Sequence, residues 1–97
     1  MSRTYVTNIG TPNQKDRKEY ATPAGAKQWC GSRLNDFKEW AAKYNKALAI
    51  EITEAWKEIN GLNLNSLPLG SDNAYFWRLI DEVTGTTLVV QIWVEEQ

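Results

Sequence analysis

The last quarter of the chain, Ala74-Tyr-Phe-Trp-Arg-Leu-Ile-Asp-Glu-Val-Thr-Gly-Thr-Thr-Leu-Val-Val-Gln-Ile-Trp-Val94, reads as a β-hairpin with apolar side chains on both faces. A ribbon of this kind needs two partners, because strand side chains alternate and each face must be covered separately. Glu82-Val-Thr-Gly-Thr86 supplies the turn, with Gly85 where a three-residue loop needs a left-handed residue. That loop sets Glu82 opposite Thr86 and, counting outward, Ile80 opposite Leu88, Arg78 opposite Val90, Phe76 opposite Ile92 and Ala74 opposite Val94. The second face then carries Leu79 with Val89, Trp77 with Gln91 and Tyr75 with Trp93.

A long apolar stripe offers cover for one of these faces. Ala26, Cys30, Leu34, Phe37, Ala41, Tyr44, Leu48, Ile52, Ala55 and Ile59 follow at steps of three and four, which holds them within an arc of roughly 80° on a helix. Thr22-Pro23 is a helix-start signature and Asn60-Gly61 a stop. One unbroken helix over this span would exceed ~50 Å, more than a domain of this size is wide. Gly31 and Ser32 mark the favoured break, giving a short helix near 23–30 and a longer one near 33–60. A break near Tyr44-Asn45-Lys46 competes with it, and Leu48-Ala-Ile-Glu-Ile52 could alternate as a strand.

Toward the N-terminus, Thr4-Tyr-Val-Thr-Asn-Ile9 reads as a short strand that adds to the hairpin, since a lone hairpin is marginal in water. The charged run Gln14–Glu19 shows no apolar period and reads as an exposed loop. Leu62–Gly70, interrupted by Pro68, suits a connection or an edge segment. The expected architecture is α+β: a small antiparallel sheet, made of the C-terminal hairpin and the N-terminal strand, packed on one long amphipathic helix preceded by a short one.

Ninety-seven residues are about one domain, here 1–97, and 42% hydrophobic residues with five tryptophans can build a real core. No run is long enough to cross a bilayer, the N-terminus has no apolar signal-type stretch, and the single cysteine cannot form an internal disulfide. A soluble, cytoplasmic protein without membrane contact is expected. Net charge is −1, yet residues 1–46 hold nine Lys/Arg against four Asp/Glu while residues 47–97 hold two against eight. The halves thus carry opposite charge, which can steer them together or offer two different surfaces.

Histidine is absent, which removes the commonest general base and metal ligand. No Cys/His metal set, nucleophile–histidine pair or glycine-rich phosphate loop exists, so no catalytic residue, metal site or cofactor is expected. Glu51, Glu54 and Glu58 share one helix side and could in principle take a hard cation, though a solvated acidic stripe explains them as well. The aromatic second face is the more informative feature. If the chain leaves it open, Tyr75, Trp77 and Trp93 are anchors of the kind found in interface cores, with Arg78 and Gln91 giving polar specificity.

The leading expectation is therefore a small non-enzymatic protein-binding module, homodimeric, acting as inhibitor, adaptor or accessory subunit of a larger protein. Short chains without catalytic motifs that bind a host machine are common among phage and mobile-element proteins, and the analogy extends to this one. The alternative is a nucleic-acid-binding module using Arg3, Lys15, Arg17, Lys18, Lys27 and Arg33, with the sheet aromatics stacking bases.

Overall fold

The N-terminal strand lies at the centre of the sheet. In the computed structural model, which describes residues 2–96, β1 (Arg3–Thr11) is flanked on one side by β2 (Gln14–Tyr20) and on the other by β4 (Thr87–Glu96). β3 (Tyr75–Ile80) pairs with β4, giving four antiparallel strands in the order β2-β1-β4-β3. Two helices, α1 (Pro23–Ala41) and α2 (Lys46–Gly61), pack on one face of the sheet, the expected α+β arrangement. No helix among the described residues is long and apolar enough to cross a membrane.

Gln14–Glu19, expected as a loop, belongs to β2. The strand is an edge strand whose residues from Gln14 to Glu19 are all exposed, so neither of its faces left an apolar period in the sequence. Thr11 pairs with Gln14 across the Pro12-Asn13 turn. Gly10 stands just before that turn because a Cβ there would lie 2.2 Å from the Gln14 carbonyl oxygen.

Between the helices the break falls at Ala42–Asn45, the competing position, while Gly31 and Ser32 lie inside α1. Asn45 caps α2, its side chain accepting from the Leu48 N–H at 3.2 Å, and Thr22 caps α1 the same way from Gly25 at 3.1 Å. Gly31 marks a close approach: a Cβ would come within 2.7 Å of the Trp56 ring on α2. Helices of 19 and 16 residues are ~28 and ~24 Å long, short enough to lie side by side over the sheet. Leu48–Ile52 is helical throughout.

The hairpin register differs by one residue from the sequence expectation. Tyr75 pairs with Ile92, Trp77 with Val90, Leu79 with Leu88 and Ile80 with Thr87. The turn explains the slip, since it spans four residues, Glu82–Gly85, rather than three. The Asp81 N–H donates to the Thr86 carbonyl at 2.8 Å, the Gly85 N–H donates to the Asp81 carbonyl at 2.7 Å, and Gly85 takes φ +76°. A one-residue slip turns β3 over relative to β4. Tyr75, Trp77 and Leu79 therefore join Leu88, Val90 and Ile92 toward the helices. Phe76 and Ile80, which the sequence register groups with Leu88, Val90 and Ile92, are 52% and 51% exposed on the outer face with Arg78, Val89, Gln91 and Trp93.

The core gathers Ile9, Leu34, Ile52, Ile59, Val90, Ile92 and Val94, nearly all without solvent contact. Each such side chain contributes about 1.5–3 kcal/mol by leaving water. Cys30 lies among them, and burial pushes its thiol up to about 12. Segment 62–70 folds Leu64 and Leu67 onto the same core, and the Tyr5 hydroxyl donates to Asn65 at 2.6 Å.

Candidate interaction surface

The carboxylate of Asp81, 4% exposed, joins the turn between the helices to the turn of the C-terminal hairpin. It accepts from the Tyr44 hydroxyl, from Asn45 Nδ2 at 3.2 Å, from the Val83 N–H at 3.0 Å and from Thr84 Oγ1 at 2.9 Å. These donors, the Tyr44 hydroxyl first, hold it well below the usual carboxylate range, at about 2. A carboxylate so fully engaged is a structural acceptor and a poor proton carrier.

Above this junction lies a cleft of about 360 Å³ between α1, the start of α2 and the hairpin. Phe37, Trp40, Leu48, Ile52, Leu79 and Leu88 form its apolar wall, with Arg33 and Asp36 at the rim. Trp40 is 53% exposed and sets its ring edge-on to Tyr44 at 4.6 Å. Nothing in the alternation or the stripe pointed to this cleft.

β3 forms the other edge of the sheet, and its free backbone groups can be assigned. The bond from Asp81 N–H to Thr86 marks that pair as hydrogen-bonded, and such pairs recur at every second residue of an antiparallel ladder. Leu79, Trp77 and Tyr75 thus bond to β4, while the N–H and C=O groups of Phe76, Arg78 and Ile80 point away from the sheet. Beyond Tyr75 the edge is closed, because the Gly70 N–H takes the Val94 carbonyl at 2.8 Å. The open stretch runs from Phe76 to Ile80. Along it a shallow groove is lined by Glu51 and Glu54 of α2 and by Phe76, Trp77, Arg78 and Leu79. Neither glutamate forms an ion pair among the described residues, and nor does Arg78.

The five expected contact residues are divided between the faces. Arg78, Gln91 and Trp93 share the outer one. Tyr75 and Trp77 lie beneath α2, half-buried, with the Tyr75 hydroxyl donating to Glu58. Burial and that glutamate both raise the Tyr75 pKa. Trp93 is 7% exposed under the chain's own groups: Arg17 sits 6.0 Å from its ring centroid and its indole N–H donates to Glu95 at 2.9 Å.

The six basic residues of the nucleic-acid reading do not form one surface. Arg17 meets Glu19 at 3.4 Å and Glu95 at 3.8 Å on the outer face, whereas Arg33 meets Asp16 at 3.4 Å and Asp36 at 3.6 Å on the helix side. Lys18 lies 5.3 Å over the Trp29 ring, Lys27 donates to the Asn60 carbonyl at 3.0 Å and Arg3 reaches Asn65. Lys15 is exposed on β2. Among the described residues no group of three His, Cys, Asp or Glu side chains could hold a metal.

Phe76, Ile80, Trp40 and Asp81 are the residues that sequence reasoning missed. A signal was available for two of them: Asp81 followed four residues later by Gly85 is the pattern of a four-residue turn, and reading it so would have turned Phe76 and Ile80 outward. Comparison with family models, curated proteins and solved structures gives no match to this chain.

Proposed function

We propose that the chain is a small non-enzymatic protein-binding module that docks on a larger protein as inhibitor, adaptor or accessory subunit. The docking surface is the open edge of β3 with Phe76, Arg78 and Ile80 beside it. One observation carries this reading, the contrast between the two edges of the sheet. β2 is exposed and charged along nearly its whole length, which is how proteins keep an edge from pairing. β3 likewise has no strand on its outer side but carries two half-exposed large apolar side chains and a single charge. An apolar edge left unguarded fits a strand that receives a partner.

Binding of nucleic acid has less support, because five of the six basic side chains considered already engage carboxylates, an aromatic ring or a backbone carbonyl. The test is affinity capture from native lysate with the wild-type chain and with Phe76→Ser/Ile80→Ser. Both changed residues face outward, so folding should survive. Proteins retained by the wild type and lost with the variant support the reading. An identical set on both, with the variant folded, removes the β3 surface as the docking site.

A further inference from the structure

We infer that the partner reaches the β3 edge as an extended segment with basic residues at alternate positions, added to the sheet as a fifth strand. The inference rests on the docking surface proposed above and specifies its ligand. Phe76, Arg78 and Ile80 offer three free N–H and three free C=O groups in register, and only an extended backbone can satisfy such a row. The side chains of an added strand alternate like those of β3. Those opposite Trp77 and its neighbours on the helix side enter the groove beside Glu51 and Glu54. Lysine or arginine answers these two unpaired carboxylates. Positions facing the outer side meet Phe76, Arg78 and Ile80, where apolar or acidic side chains fit.

The same charges argue against a second copy of this chain at the edge. Pairing β3 with β3 about a twofold axis brings α2 beside its symmetry mate and lines up four carboxylates, Glu51 and Glu54 of each, along one seam. Centring the axis on Arg78 adds two opposed guanidinium groups. A heterologous basic strand relieves what self-pairing concentrates.

Short capped peptides alternating lysine with valine, and glutamate with valine, provide the test, titrated against the intact chain and followed by amide chemical shifts. The lysine peptide should bind at least about tenfold more tightly, with shifts centred on β3 and an affinity that falls as salt rises. Glu51→Gln and Glu54→Gln should each weaken it about two- to fivefold. Arg78→Pro should abolish binding without unfolding the chain, because the Arg78 N–H faces away from β4 and proline is tolerated at such edge positions. Equal binding of both peptides overturns the charge selection, and undiminished binding to a folded Arg78→Pro variant overturns strand addition. A β3-dependent dimer of the chain also overturns the inference. If the lysine peptide fails while Phe76→Ser/Ile80→Ser still loses captured proteins, the inference falls and the binding-module reading stands.

Discussion

The Tyr44 hydroxyl donates a hydrogen bond to the Asp81 carboxylate, and through this contact the turn between the helices is tied to the turn of the C-terminal hairpin. Asn45 reinforces the contact from the cap of α2, so the helix break and the hairpin turn are one structural unit. The register of β3, and with it the choice of which side chains face outward, depends on that unit.

Stability should therefore fall in acid through Asp81. Its folded pKa, about 2, lies below the unfolded value of about 3.9. A carboxylate with a depressed folded pKa stabilises the fold fully above the unfolded value and loses that contribution as pH drops through the folded one, here between about 4 and 2. Asp81→Asn should flatten the pH dependence of the melting temperature in that window. An unchanged slope would show that other carboxylates set it.

Leu79 and Ile80 provide a direct test of the register, being adjacent but on opposite faces at 4% and 51% exposure. Leu79→Ala should cost about 2–4 kcal/mol in chemical denaturation. Ile80→Ala should cost under about 1 kcal/mol. The reverse order would restore the three-residue turn.

Gly31→Ala sets two effects against each other. Alanine improves helix propensity by about 1 kcal/mol, while its Cβ would come within 2.7 Å of the Trp56 ring. Overpacking of this kind costs about 1–3 kcal/mol, so the variant should be less stable than wild type. In a Trp56→Ala background the same change should become stabilising by about 1 kcal/mol. A double-mutant cycle reads the coupling, and its absence would contradict the close helix approach.

Gly85→Ala should destabilise the hairpin by about 1–2 kcal/mol, because φ +76° is a left-handed conformation that alanine adopts at a cost. Melting temperature checks this.

Strong periodicities were legible in the sequence; features set by one residue or by polar strands were not. The hairpin, the N-terminal strand and the 3.6-residue stripe all left clear signals. The stripe, however, runs in phase through Ala41, Tyr44 and Leu48, so it gave no reason to prefer the break at Ala42–Asn45 over Gly31. β2 is polar on both faces and had no period to detect. A turn of three or four residues differs by a single position, yet that position decided whether Phe76 or Trp77 faces the helices. Glu51 and Glu54 read as a solvated stripe because only the placement of α2 over β3 brings them to the edge.

Hydrogen exchange reads the open edge of β3, and its closure by an added strand, amide by amide. In the free chain the amides of Phe76, Arg78 and Ile80 should exchange rapidly and those of Trp77 and Leu79 slowly, as the register requires. At saturating lysine–valine peptide the three fast amides should become protected while the rest of the sheet changes little. Protection of all five amides in the free chain would rule out an open β3 edge, and three amides left fast in the bound one would rule out strand addition.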